Sequence, residues 1–144
     1  MTTTMAKKIL FVDDDRDLAE NLGAVLRQHD YDVTFAFSAT EGLRKALSLE
    51  PDLIILDVSM ETDTAGFEFV DLLRSRRPTS RYRAVRATPI VLLTAINQVT
   101  NSRFSLDDRQ SFLPEVSAVL TKPVRIDTLL ARVAEAIGRE GPAA

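Results

Sequence analysis

Apolar residues along the chain fall into two kinds of segment. Short uninterrupted apolar runs occupy residues 9–12 (ILFV), 53–56 (LIIL), 90–93 (IVLL) and 118–120 (AVL). Such runs, bounded by polar residues, are typical of strands buried on both faces of a parallel sheet. Residues 32–37 (DVTFAF) instead alternate larger apolar with smaller or polar side chains. This alternation predicts a half-covered strand at a sheet edge.

Apolar positions spaced three and four residues apart predict helices between these runs. The sets are Leu18, Leu22, Val25 and Leu26; Leu43, Ala46 and Leu47; Phe69, Val70, Leu72 and Leu73; and Ile126, Leu129, Leu130, Val133 and Ile137. Strands that alternate with amphipathic helices predict an α/β fold: a doubly wound, five-stranded parallel sheet of flavodoxin-like order 2-1-3-4-5 with helices on both faces. Residues 95–117 carry the weakest pattern, and we expect one short helix near 106–113 there.

The amino-acid composition indicates which broad class of protein this is. The chain has 144 residues, of which 45% are hydrophobic and 27% charged, as expected for one soluble globular domain. We expect a flexible N-terminus at 1–6, a folded domain at 7–140 and a tail at 141–144. No run is long enough to cross a bilayer or form a signal peptide, so a cytoplasmic protein is expected. The absence of cysteine excludes disulfides and thiolate sites, and the net charge of −3 argues against a surface built for nucleic acid.

Polar residues follow the apolar runs in a way that predicts a site. The residues concerned are Asp13, Asp14 and Asp15 after the first run, Asp57 after the third strand, Thr94 after the fourth, and Thr121 and Lys122 after the fifth. The carboxyl ends of parallel strands share one edge, so these side chains should converge. Clustered carboxylates repel by roughly 1 to 4 kcal/mol per pair, and therefore take up protons or bind a cation. A site made only of oxygen ligands favours Mg²⁺. Mg²⁺ beside a carboxylate, a lysine and a hydroxyl is the set of groups needed for phosphoryl transfer to an aspartate.

Four segments carry a family resemblance. Residues 9–15 (ILFVDDD), 53–57 (LIILD), 90–95 (IVLLTA) and 120–123 (LTKP) resemble the receiver domain of bacterial two-component response regulators. The resemblance covers about residues 7–140. It implies that Asp57 accepts a phosphoryl group from a sensor histidine kinase or a phosphotransfer protein. Its remaining implications are Mg²⁺ held by Asp13, Asp14, Asp57 and the Ser59 backbone carbonyl, Thr94 as switch hydroxyl, Lys122 as phosphate-binding lysine, and a cis peptide before Pro123.

The sequence departs from the family pattern at four places. Val119 stands where receivers commonly carry a Tyr or Phe that moves on phosphorylation, and Glu61 stands at a usual proline in a loop that is one residue longer before Gly66. Residues 95–117 are longer than usual. An arginine-rich stretch, residues 74–86 and hereafter the basic loop, resembles an insertion.

Ser59 and Ile96 occupy the positions that tune hydrolysis in this family, and neither offers an acid or amide to orient water. Slow self-dephosphorylation is therefore expected.

Together these features predict a stand-alone response regulator that is not an enzyme and signals by changed binding to a downstream protein. Neither a membrane nor a nucleic acid is expected as partner, and a homodimer stays open. One alternative is a receiver-like module that binds without phosphorylation. Another is a haloacid-dehalogenase-type phosphatase using Asp13 and Asp15 as its Asp-x-Asp motif. That family has a further acidic pair after the lysine, whereas Asp107 and Asp108 precede Lys122 here.

Two single features have simpler interpretations. Asp15 suits a helix N-cap and His29 a helix C-terminus, where a cation is favoured.

The basic loop precedes a strand and should lie at the opposite edge from the acidic site. It fits a solvated loop better than a surface for an anionic partner.

Overall fold

The fold is an open parallel sheet with helices on both faces. A computed structural model describes residues 6–58, 65–95 and 116–138. Its strands are β1 (Lys8–Val12), β2 (Asp32–Ala36), β3 (Leu53–Asp57), β4 (Ile90–Ala95) and β5 (Ala118–Lys122). The helices in the described ranges are α1 (Arg16–Gln28), α2 (Ala39–Leu49), α3 (Ala65–Leu73) and α4 (Ile126–Ile137), and a 3-10 turn lies at Arg83–Val85.

All strand pairs are parallel, and the sheet order is β2-β1-β3-β4-β5. This order confirms the predicted fold class, including the placement of the alternating segment at an edge. The short helix expected near 106–113 lies outside the described residues. Within the described ranges, no helix has both the length and the apolar character needed to cross a bilayer.

Each face of the sheet has its own core because successive side chains along a strand point to opposite faces. Leu10 and Leu56 lie in the core that includes α3, which also receives residues of α2 and the buried Val85 of the basic loop. Ile9 and Ile55 lie in the other core, with residues of α1 and α4. The central strands are buried on both faces, as their unbroken apolar runs predict.

Side-chain caps fix where the first two helices begin. The Asp15 carboxylate accepts a hydrogen bond from Leu18 N at 3.1 Å, which confirms Asp15 as the N-cap of α1. Ser38 caps α2 through Glu41 N, and Glu41 accepts from Phe37 N at 2.7 Å. This reciprocal arrangement is close to a capping box.

Two apolar positions that the helical pattern assigns to the core are half exposed. Leu72 is 49% exposed at the end of α3, and Ile126 is 48% exposed at the start of α4. The periodicity predicts an apolar face correctly, but it does not show where that face extends past the sheet at a helix end.

Candidate functional site

The carboxyl edge of the sheet gathers the acidic residues that the sequence singles out. β1 pairs with β3 in a register that places Val12 beside Leu56. Asp13 and Asp57, the next residue on each strand path, therefore lie side by side. Both are almost completely buried, at 0% and 4% exposure. Burial of two adjacent carboxylates is costly unless charge is supplied nearby.

Lys122 supplies part of that charge. Its Nζ lies 3.3 Å from Asp13 Oδ2 and 3.4 Å from Asp57 Oδ1, so one ammonium bridges two carboxylates. β5 reaches the site because it pairs with β4 and runs to Lys122, two residues beyond the apolar run. The peptide bond between Lys122 and Pro123 is cis, as the resemblance implies.

The surroundings raise the pKa values of both Asp13 and Lys122, but for different physical reasons. Burial raises the pKa of Asp13 above 3.8, although the hydrogen bond from Asp15 N and the charge of Lys122 partly offset it. Burial disfavours the charge on Lys122, but attraction by Asp57 and Asp13 outweighs it and raises the pKa above 10.5. Lys122 is therefore an ammonium ion at neutral pH.

Asp14 completes a cluster that fits a small divalent cation. Each of Asp13, Asp14 and Asp57 offers a carboxylate oxygen, and these oxygens lie within 4.8 Å of one another. Two ligands on opposite sides of Mg²⁺ are about 4.2 Å apart, so small side-chain rotations would bring the oxygens to coordination distance. The buried Asp13 Oδ2 accepts no hydrogen bond of good geometry among the described residues, and its ion pair with Lys122 leaves it available.

The formal charge of the cluster also favours a divalent cation. Three carboxylates face one ammonium in this cluster, which leaves two negative charges unbalanced. An all-oxygen site with this excess suits a hard divalent ion such as Mg²⁺. The residues present thus fit the metal that the sequence predicts.

Thr94 lies at the same edge. β4 pairs with β3 so that Leu93 is beside Asp57, and Thr94 is the following residue. Thr94 is fully buried, and its hydroxyl donates to the Ala95 carbonyl at a long 3.3 Å. A hydroxyl–carbonyl distance of 3.3 Å is at the long end for such a hydrogen bond.

Not every predicted residue joins the cluster or can be placed. Asp15 faces the start of α1 instead, and Thr121 is exposed. Val119 is partly buried against the core that contains α3. Ser59 and the loop with Glu61 fall in residues 59–64, outside the described ranges, so the expected role of the Ser59 carbonyl remains a prediction.

Gly66 supports the site, although no sequence motif marks it as a site residue. Its backbone N donates to Val58 O at 2.8 Å, and an added Cβ would lie 2.5 Å from Val58 Cα and 2.8 Å from Asp57 O. Only glycine allows α3 to approach the end of β3 this closely. The available signal was a glycine in the first turn of a helix, where it is a poor helix former.

The fold and this edge of the sheet define a class: α/β domains that present carboxylates, a hydroxyl and a lysine at the carboxyl ends of parallel strands. The family model for the response regulator receiver domain matches residues 9–134. The chain therefore belongs to the receiver domain family of two-component response regulators, a family of signalling domains.

Curated relatives agree with the family. The chain is 32% identical over 126 residues to the DNA-binding dual master transcriptional regulator RpaA of Synechocystis, covering 88% of this chain and 47% of that protein. It is 32% identical over 130 residues to the DNA-binding response regulator MtrA of Mycobacterium tuberculosis, covering 90% and 50%. The chain spans about half the length of these relatives.

Solved structures share the fold. The chemotaxis protein CheY4 of Vibrio cholerae superposes with a TM-score of 0.73 at 30% identity, covering 92% of this chain and 99% of that chain. The Francisella response regulator 1452 receiver domain gives a TM-score of 0.73 at 26% identity, covering 92% and 97%.

Proposed function

We propose that the protein accepts a phosphoryl group on Asp57 in a Mg²⁺-dependent reaction. The donor is a phosphohistidine on a sensor histidine kinase or a phosphotransfer protein in the cytoplasm. The observation that carries the proposal is the contact of one lysine with two buried carboxylates, one of which is Asp57, beside a third carboxylate. Membership of the receiver family supports the same role.

Each residue has a distinct part in this reaction. An Asp57 carboxylate oxygen attacks phosphorus, a P–O bond forms, the P–N bond to the donor imidazole breaks, and the imidazole nitrogen keeps the electron pair. Lys122 exchanges its contact with Asp57 for one with a phosphoryl oxygen. The Thr94 hydroxyl turns from the Ala95 carbonyl to donate to another phosphoryl oxygen.

Asp13 and Asp14, with Asp57 and the Ser59 carbonyl, would hold Mg²⁺. A Mg²⁺ ion held there would neutralise charge on the transferring group. The phosphorylated domain then signals by a shift between two conformations that changes its binding to a downstream protein.

Intact mass after incubation with acetyl phosphate and Mg²⁺ tests the proposal. We expect one added phosphoryl group, lost in Asp57→Asn and in the presence of a chelator. Asp15→Asn is the matched control because asparagine caps a helix as well as aspartate does. It should be modified normally.

The outcomes separate the alternatives. A phosphatase of the haloacid-dehalogenase type would use Asp13 and Asp15 in its Asp-x-Asp motif, so loss of reaction in Asp15→Asn would favour that alternative. If the wild-type protein binds Mg²⁺ yet gains no mass from acetyl phosphate or a phosphorylated kinase, it is a receiver-like module that acts without phosphorylation.

A further inference from the structure

The basic loop concentrates positive charge in one short stretch. It contains six arginines, and no acidic residue occurs from Leu72 to Leu106, in a chain whose net charge is −3. The loop connects α3 to the amino end of β4. It therefore lies at the edge of the sheet opposite the carboxylate cluster and plays no part in phosphoryl transfer.

Some of these arginines hold the loop in place. Arg74 Nη1 donates to Arg86 O at 2.6 Å, which joins the two ends of the loop. Arg83 Nη1 donates to Pro78 O at 3.3 Å, and Val85 is buried in the core that contains α3. The backbone is thus fixed at several points, so the outer side chains project from a preformed base.

Three other arginines point to solvent. Arg76, Arg77 and Arg81 are exposed, and across the described residues none of them is ion-paired with a carboxylate. Three exposed guanidinium groups without a carboxylate partner among the described residues leave a concentrated positive charge on this side of the domain. Guanidinium forks bind carboxylates or phosphates through paired hydrogen bonds.

The side chains of Leu72 and Tyr82 indicate whether a protein segment or a nucleic acid fits the basic loop better. Leu72, from which the chain enters the loop, is 49% exposed and offers an apolar contact. Tyr82 packs against the core, so its ring is not free to stack on a nucleic-acid base. A long polyanion would also experience the negative charge of the rest of the chain, whereas a short acidic segment meets only the local field.

We propose that the basic loop, with Leu72, is a docking surface for a short acidic protein segment that carries an apolar side chain. The surface is independent of Asp57 and of the proposed phosphorylation. It adds a second contact at the opposite edge of the domain.

The test uses the full chain and a fluorescent peptide of alternating Glu and Asp with one central Leu, followed by anisotropy. We expect saturable binding at about 0.15 M ionic strength that weakens with added salt. The triple variant Arg76→Gln/Arg77→Gln/Arg81→Gln should bind at least about tenfold more weakly. Amide NMR shifts should change in the basic loop and at Leu72.

The control is Arg44→Gln/Arg125→Gln/Arg132→Gln, which removes the same charge from other surfaces and should keep affinity within about twofold. Equal loss in both triple variants, or no binding to the wild type, would overturn the proposal. Tighter binding of a single-stranded oligonucleotide of equal charge would replace it with a nucleic-acid site. Acetyl phosphate should modify the Arg76/Arg77/Arg81 variant normally, so failure of this surface is separable from failure of Asp57.

Discussion

At the scale of single residues, Lys122 supplies the positive charge that lets two carboxylates be buried side by side. One ammonium contacts the two buried carboxylates, while Asp14 is exposed and adds repulsion that contributes to the raised pKa of Asp13. Hydration reduces the repulsion by Asp14, and burial strengthens the attraction to Lys122. The site is therefore left with a charge excess that a divalent cation can balance.

Asp14→Asn should weaken Mg²⁺ binding and relieve repulsion between the carboxylates together. We expect the affinity for Mg²⁺ to fall by about tenfold or more, equivalent to about 1.4 kcal/mol. In chelator the variant should melt at or above the wild-type temperature because one repulsive charge is gone. In excess Mg²⁺ it should gain less stability than the wild type, since a ligand stabilises the folded state only where it binds.

Isothermal titration calorimetry and thermal unfolding, with and without EDTA, measure these effects. Asp15→Asn is the control, and it should titrate with Mg²⁺ as the wild type does. A wild-type affinity retained in Asp14→Asn would remove Asp14 from the set of ligands.

At the scale of elements, the cap of α2 makes a pH-dependent contribution. The hydrogen bond from Phe37 N, together with the Lys45 ammonium at 3.1 Å, lowers the pKa of Glu41 below 4.5. A carboxyl whose pKa is lower in the folded state stabilises the fold above its unfolded pKa. That stabilisation is lost as the pH falls through the folded-state value.

Glu41→Gln should therefore cost about 0.5–1 kcal/mol in the free energy of unfolding at pH 7. The difference from wild type should shrink as the pH falls below 4.5, the reference value for the free side chain. Urea unfolding at several pH values measures it. Glu20→Gln, on the exposed face of α1, is the control and should show no comparable pH-dependent difference; a cost for Glu41→Gln that stays constant with pH would contradict the charge-based account.

The contact between Arg74 and Arg86 makes a prediction about the basic loop. Arg74→Ala removes the 2.6 Å hydrogen bond that joins the ends of the loop, so amides of residues 75–88 should exchange faster with deuterium. The global cost should be about 1 kcal/mol. Arg76→Ala, in the same loop but exposed, should leave exchange unchanged; equal protection in both variants would mean that the Arg74 contact does not hold the loop.

Most elements could be predicted from the sequence because their patterns are local. Buried strands need unbroken apolar runs, and α1 begins where Asp15 can cap it. The exact strand ends could not be predicted, since β4 extends through the polar Thr94 to Ala95 and β5 to Lys122. Hydrogen bonding to the neighbouring strand, rather than side-chain polarity, determines those ends.

The site residues could be predicted from the sequence, whereas the contacts at Gly66 and within the basic loop could not. Asp13, Asp57 and Lys122 follow strands, and a parallel sheet brings strand ends to one edge whatever the loops do. The close approach at Gly66 depends on how α3 packs, which a residue pattern does not contain. Likewise, the carbonyl contacts of Arg74 and Arg83 are non-periodic and only appear once the loop is folded.

At the scale of the whole molecule, opposite charges lie at opposite edges of one sheet. The carboxylate cluster is at the carboxyl edge, and the basic loop is at the amino edge. A cationic group approaching the first edge and an anionic segment approaching the second are both favoured by the local field. Two partners could therefore occupy the domain together without competing for one surface.

The lifetime of the proposed phosphoryl group on Asp57 sets how long the carboxyl edge stays in its phosphorylated state. Hydrolysis of an aspartyl phosphate needs a water molecule held in line with the bond that breaks, and an acid or amide side chain near the site can orient it. Ser59 and Ile96 stand at the two positions that serve this purpose in the family, and neither carries such a group. The phosphorylated protein should therefore lose its phosphoryl group slowly, over minutes or longer.

Intact mass followed over time, after removal of acetyl phosphate and in the presence of Mg²⁺, measures this lifetime. Ser59→Asn introduces an amide that can hold water and should shorten the half-life severalfold, whereas Ser59→Ala, which changes size without adding such a group, should leave it nearly unchanged. A wild-type half-life of seconds would show that another group orients the water. The position of Ser59, two residues after Asp57, would then not control the duration of the signal.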